Sequence, residues 1–323
     1  MRRREFITLV GGSAVACPLA ALAQEAGRTY RLGVLYPTPR SDDVSIAFLD
    51  GVRQQGFIEG QNLTVIYHAF ALHPDLLPEW VAELVKAHVD VIATIGDLAI
   101  RTAQEATKTI PILAGTDDML GAGLVNSLAR PEGNTTGISI LATELDGKRQ
   151  DILIEAVPGV HRLAALADAN RKDAKLATLQ EAARARNIEL SIHQVASGAE
   201  ITAAIDTAHA SGATALNVLA SPMLYSNRQL IMDRVAVLRL PTTYQWPETA
   251  EEGGLIGYGP RLLKIFRDIL PRQLARLFRG TKVADIPIEQ PTKFELVINL
   301  KTAKAVGVTV PEALLARADK LIE

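Results

Sequence analysis

Cysteine is almost missing from this chain: one residue of 323, Cys17, and it lies close to the N-terminus. Everything after it can form no disulfide, offers no thiolate nucleophile and has no cysteine metal site. An excess of one charge is missing as well. Lys and Arg number 34 against 36 Asp and Glu, a net charge of −2. Such a balance gives no reason to expect nucleic acid or an anionic membrane as a partner. After the first two dozen residues no apolar run approaches the roughly 20 residues that cross a bilayer, so no insertion of the remaining chain is expected. Histidine is limited to His68, His73, His88, His161, His193 and His209, with no two at metal-ligand spacing on one helix, and no metal is expected. The usual signatures of nucleotide binding and nucleophilic catalysis are absent: G-x-G-x-x-G after a strand, G-x-x-x-x-G-K-[ST], G-x-S-x-G and H-E-x-x-H. Gly137-Ile138-Ser139-Ile140-Leu141 lacks the second glycine of a nucleophile elbow. Neither a cofactor nor a catalytic residue is expected.

What is present starts at residue 1. MRRREFITLVGGSAVACPLAALAQ has a basic start (Arg2, Arg3, Arg4), an apolar middle and a small-x-small end at Ala21-Leu22-Ala23. These are the three parts of an export signal, here 1–23, with cleavage expected near Ala23-Gln24 and a periplasmic destination. The paired arginines before Glu5, Phe6 and Ile7 resemble a twin-arginine signal, and Gly11, Gly12 and Pro18 weaken the stretch as a membrane-spanning helix. The alternatives are an uncleaved anchor and a lipid on Cys17. Against the second, the large apolar residue usual three places before a lipidated cysteine is missing.

Beyond the signal, short apolar β-rich runs alternate with helical patterns. RLGVLYP, NLTVIYHAF, VDVIATIG and IPILAG read as strands, separated by helices such as DLLPEWVAELVKAH and LAIRTAQEATK. After a Gly- and Pro-rich stretch at 121–137 the alternation resumes with TTGISIL, HRLAALAD, ELSIHQV, ALNVLAS and LPTTYQW. Strands apolar throughout, spaced by helices of about a dozen residues, indicate parallel sheets covered on both faces. Two such series in succession suggest an α/β protein of two doubly wound parallel-sheet lobes. An eight-stranded barrel is the rival, since the strand count nearly suffices.

In open parallel sheets ligands bind at the C-terminal strand edges. The residues just after each strand are therefore the candidates. In the first series these include Thr38 and Asp42, Gly96 and Asp97, and Thr116 and Asp117. In the second they are Ser139, Asp168, Asn170, Ser221, Tyr244 and Tyr258. Helix capping is the competing role for Asp97 and Ser221, and ordinary packing for Tyr244, Trp246 and Tyr258. Carboxylates at Asp97 and Asp117 would repel an anionic ligand, so an ammonium or hydroxyl group suits that wall better.

EGQNLTVIY at 59–67, ATKTIPILAGTDD at 106–118, SLARPEGNTTGIS at 127–139, GGLIGYGP at 253–260 and IEQPTKFELVINLKTAKAVGVTVPEALLARAD at 288–319 together resemble one family closely. It is the ABC-transporter substrate-binding proteins related to the tryptophan- and tyrosine-binding group, which have the type I periplasmic binding protein fold. The resemblance implies two lobes joined by three interlobe crossovers. The first lobe would be 28–118 plus 261–287 and the second 119–260 plus 288–323. It also implies a non-enzymatic receptor, expected as a monomer, that closes on a small polar or aromatic, amino acid-like ligand. Its partners would be an ABC permease and that permease's ATPase. Two cleft positions depart from the usual pattern: Gly96-Asp97-Leu98 stands where many relatives carry Gly-Thr-Pro, and Ala169-Asn170 where they carry Asn-Pro. The alternatives from other classes are the ligand-sensing lobe of a signalling system and an exported α/β hydrolase.

Overall fold

A computed structural model describes residues 28–71, 73–169 and 175–323. The expected export signal and the candidate ligand residue Asn170 lie outside the described residues.

The first sheet holds β1 (Tyr30–Tyr36), β2 (Leu63–Ala69), β3 (Val91–Ile95), β4 (Ile112–Thr116) and β5 (Thr135–Ser139). All pairings are parallel, in the order β2-β1-β3-β4-β5. β3, β4 and β5 are buried at every position, which is why they read as continuous apolar or small-residue runs. Alternation along each strand then sorts side chains between two helix layers. Leu32, Val34 and Tyr36 point to the side of α1 (Asp43–Gln54). Leu35, Ile92, Ile112 and Ala114 point to the side of α2 (Leu77–Lys86) and α3 (Asp97–Ala106).

The second sheet holds β6 (Arg162–Asp168), β7 (Glu189–Val195), β8 (Ala215–Val218), β9 (Thr242–Tyr244), β10 (Ile256–Gly259), β11 (Glu295–Asn299) and β12 (Lys320–Ile322). Its order is β7-β6-β8-β9-β10-β11-β12, the same winding as the first sheet with two further strands. This sheet is mixed, because β11 returns antiparallel to β10. Its helices are α4 (Asp146–Ala156), α5 (Lys175–Arg184), α6 (Ile201–Ala210), α7 (Pro222–Ser226), α8 (Arg228–Val237) and α9 (Pro247–Glu251).

Two boundaries differ from the sequence expectation. The stretch 121–137 does not separate the lobes: it leads into β5, which pairs with β4 through Ile112–Thr116. The first crossing therefore follows Ser139 rather than residue 118. Likewise Glu289 still bonds to β5, its N–H donating to Gly137 O at 2.9 Å and its carbonyl accepting from Ser139 N–H at 2.9 Å, so the third crossing follows Glu289 rather than residue 287. Turn-rich composition marks a loop, but only hydrogen-bond pairing says which sheet the next strand joins.

After the second crossing the chain returns to the first sheet as α10 (Leu262–Lys264), a π-helical turn (Ile265–Ile269) and α11 (Leu270–Phe278). The cause of the turn is Pro271. It has no N–H, and its ring would clash with the carbonyl four residues back, at Arg267, so the helix widens there. That carbonyl faces α1 at Gly51, where a Cβ would lie 2.1 Å from Arg267 O and 2.6 Å from Pro271 Cγ. The first lobe is thus closed by a helix from a distant part of the chain, seated on a position without a side chain. Gly51→Ala should destabilise the protein by about 1–3 kcal/mol or more through overpacking against backbone. Chemical denaturation of the variant measures it; an unchanged midpoint would mean that the two helices separate freely.

Candidate functional site

The C-terminal ends of both sheets face each other, and the loops that follow the strands form two walls. On the first wall Thr38 is buried, with Oγ1 3.2 Å from Ser45 Oγ. Tyr67 Oη stands 2.6 Å from Ser45 Oγ and donates to Thr38 O at 2.9 Å; burial pushes its phenol up to about 12. Asp42 caps α1, with Oδ1 accepting from Val44 N–H at 3.1 Å. Gly96 opens α3 at φ +92°, in the left-handed region, which lets the chain turn sharply out of β3. Asp97 makes no cap bond. It is exposed and accepts a hydrogen bond from Thr116 Oγ1.

The tandem acids have separate tasks. Asp118 Oδ1 accepts from Gly121 N–H at 2.9 Å and closes a local turn. Asp117 reaches into the first crossing, where its carboxylate accepts from Thr143 N–H at 2.7 Å and from Thr143 Oγ1. Ser139 is fully buried beneath it, donating to Asp117 O at 3.2 Å and accepting from Met119 N–H at 3.2 Å.

On the second wall Ser221 caps α7 through Met223 N–H and Leu224 N–H, and donates to Asp168 Oδ2 at 2.6 Å. Both are buried. Beside them Ala220, Tyr225 and Trp246 leave the second lobe's core and join a cluster with Tyr36, Val44, Phe48, Leu262 and Phe266 of the first. The rings of Tyr225 and Trp246 stand perpendicular with centroids 6.5 Å apart. The walls also meet directly. A Cβ at Gly96 would lie 3.6 Å from Pro222 Cγ, and Arg228 Nη2 stands 3.3 Å from Asp42 Oδ2.

Two expected ligand residues are elsewhere. Tyr244 is the last residue of β9, and its ring turns into the helix layer against Gly254, Met232, Val235 and Leu240. There it borders a cavity of about 30 Å³, room for about one water. Burial pushes its phenol well above the usual range. Tyr258 shares the face of Ile256 on β10 and packs half-buried on the cluster of Ile152 and Leu296. The reason is common to both. Both stand within strands whose alternation aims these two rings at a sheet face instead of the cleft. Tyr225, by contrast, was not anticipated; its one signal was a place four residues after Ser221, in the loop and short helix following β8.

Sequence reading also missed the groups that fix the crossings. Arg149 on α4 has no exposure to solvent. Its Nε donates to Tyr258 O at 2.8 Å, Nη1 to Ala142 O at 2.8 Å and to Asp146 Oδ1 at 2.6 Å, and Nη2 to Gln245 O at 3.4 Å. Burial draws its pKa down, against the carboxylates of Asp146 and Asp117. At the second crossing Glu248 of α9 is buried, with Oε1 accepting from Leu263 N–H at 3.2 Å, and burial pushes its carboxyl up. Arg261 pairs with Glu251 at 2.8 Å and Glu295 at 2.6 Å, joining the second crossing to β11. Among the described residues no cluster of three or more His, Cys, Asp or Glu could hold a metal ion, and no helix is long and apolar enough to cross a membrane.

Arg149→Met should cost about 3–5 kcal/mol, because Asp146 stays buried beside a lost cation; a denaturation curve with the wild-type midpoint would contradict this. Glu248 gives a pH signature. A carboxyl raised in the folded state adds stability below its unfolded value of 4.5, and that contribution is lost as pH rises through the folded pKa. Glu248→Gln should therefore melt higher than wild type at about pH 7, with the gain shrinking as pH falls to about 4.5. Melts of both proteins across that range check it, and a gain independent of pH would remove the carboxyl from the account.

Residues 38–322 match the family model described as ABC transporter substrate binding protein. The chain is 23% identical over 275 residues to a tyrosine-binding protein of Clostridioides difficile strain R20291, covering 83% of this chain and 77% of that one. The crystal structure of a conserved domain protein from Vibrio cholerae superposes with a TM-score of 0.81 at 23% identity, over 91% of this chain and all of the other. That of an ABC domain in complex with L-Trp, from Streptococcus pneumoniae, superposes at 0.77 and 23% identity, over 90% of this chain and 100% of the other. Two wound lobes joined by three crossings, with walls that face each other, are the architecture such a match requires, and the chain belongs to the ABC transporter substrate-binding protein family.

Proposed function

We propose that this protein is a periplasmic solute receptor that closes its two lobes on a small amino acid-like molecule and passes it to an ABC permease and that permease's ATPase. The carrying observation is the pairing of the walls: Asp97 and Thr116 at the ends of the first sheet, Asp168 and Ser221 at the ends of the second. Carboxylates on both sides suit an ammonium group, and Tyr225 and Trp246 add apolar ring surface beside them. The tyrosine-binding relative and the L-Trp complex support the same ligand class. Export through the twin-arginine-like signal with release near Ala23-Gln24 completes the reading. The receptor performs no chemistry, so its ligand is to be recovered unchanged.

Closure matters because only the closed form presents both walls at once. A ligand shifts the open and closed populations by its difference in affinity for them. Of the first-wall acids, Asp97 tests this best, since its exposed carboxylate is outside the crossings to which Asp117 is tied.

A thermal-shift screen of amino acids, amines and aromatic acids should single out a ligand that raises the melting point and lowers the radius of gyration in small-angle scattering. Against that ligand Asp97→Ala should lose about 2–5 kcal/mol of affinity by calorimetry, with the unliganded melting point near wild type. Binding without compaction would refute the clamp, and conversion of the ligand to a product would replace the receptor by an enzyme.

A further inference from the structure

Arg228 begins α8 in the second lobe and Asp42 caps α1 in the first, yet the two form an ion pair across the cleft. Both Nη1 and Nη2 stand 3.3 Å from Asp42 Oδ2. Only 16% of the Arg228 side chain and 11% of the Asp42 side chain reach solvent. A pair so sheltered is screened less by salt than a surface pair, and its distances are longer than the about 2.7–2.9 Å usual for charged hydrogen bonds.

Each partner is also held from its own side. Arg228 Nε donates to Glu252 Oε2 at 2.7 Å, and Nη1 donates to Tyr225 O at 3.4 Å. The guanidinium carbon lies 4.3 Å from the centroid of the Tyr225 ring. All these contacts are within the second lobe. Asp42 keeps its bond to Val44 N–H within the first. When the lobes part, neither charge is left buried without a partner, which is the condition that makes breaking a sheltered pair expensive. Arg149 is the opposite case, since its partners lie on the second lobe and the adjoining crossing and need not separate.

We propose that Arg228 and Asp42 are a reversible latch that holds a share of the ligand-free protein closed. The latch rests on the two-lobe movement proposed above. It adds a bias toward closure that is independent of any ligand contact, so it sets how much of the equilibrium is left for a ligand to shift. Glu252 holds the latch arm in position on its own lobe.

The experiment measures the distance between spin labels in the ligand-free protein, at Glu105→Cys on α3 and Val237→Cys on α8, both exposed positions on opposite lobes. The rest of the chain beyond Cys17 has no cysteine to compete for the label. With the wild-type latch the distribution should contain a short, closed component and a longer, open one. Asp42→Asn retains an acceptor for Val44 N–H and removes the charge; it should lower the closed-to-open ratio about three- to tenfold. Asp233→Asn removes the same charge at an exposed position of α8 that takes no part in the latch, and should not lower that ratio. Melting points of both variants should stay near wild type. Two populations whose ratio Asp42→Asn leaves unchanged overturn the latch while the movement stands. A loss of the closed component as large in Asp233→Asn as in Asp42→Asn overturns it too, by making the effect one of net charge. A single distance that no variant alters overturns the movement itself.

Discussion

A guanidinium with no access to water has to find its hydrogen bonds in the protein, and the position of Arg149 follows from where those bonds are available. Its donors end on Ala142 in the first crossing, on Tyr258 at the end of β10 and on Gln245 after β9. Asp146, one turn earlier on α4, neutralises it and also accepts from Ala220 N–H at 3.2 Å, at the exit of β8. One ion pair thus gathers a crossing and three strand exits of the second lobe around a single helix. The unpaired backbone carbonyls that a switch from strand to loop leaves behind become the partners that allow the charge to be buried. The relation between the lobes depends on this arrangement, because the residues it fixes are the ones from which the chain departs for the other lobe.

The crossings are secured by charge from both ends. Asp117 of the first lobe grips Thr143, Glu248 of the second accepts from the first turn of α10, and Arg261 joins Glu251 to Glu295. Arg272 and Gln273 of α11 hold Glu289 as the chain leaves β5. None of these contacts spans the open part of the cleft. They cluster at the crossings, where the closure proposed above would have its axis. Away from the crossings the contacts between the walls among the described residues include Asp42 with Arg228, Gly96 against Pro222, and the aromatic edge formed by Tyr225 and Trp246.

The sequence disclosed the winding of the sheets and the loops that build the walls, because both are local. Runs such as VIATI and ILAGT are apolar at each position, so they call for helices on both faces, and the next loop then emerges at the C-terminal edge. Thr38, Gly96, Asp97, Thr116, Asp168 and Ser221 stand at or just after strand ends, where that rule looks for them, and their part in binding is the proposal made above. The failures were non-local. Whether TTGIS pairs with β4 or opens a new sheet is decided by partners twenty residues away. Tyr244 ends β9 as Thr116 ends β4, but the alternation of β9 aims its ring into the helix layer. Arg149 reads as an ordinary polar position on a helix until the carbonyls of three other segments surround it.

The same distinction separates ionic groups that build the molecule from those that can move within it. A buried charge whose partners all lie on one lobe and the crossing beside it is structural, however strongly it is perturbed, because those partners need not separate. A charge with a complete set of partners on its own lobe and one more across the gap is able to break that last contact without a desolvated remainder. Arg149 meets the first description and Arg228 the second, although both are arginines, sheltered from water and paired with aspartate. Burial and pairing alone would rank Arg149 as the stronger candidate for function. Following each donor to the lobe that owns its acceptor reverses the order, and it identifies Arg228 as the arginine whose bonding must change when the cleft opens.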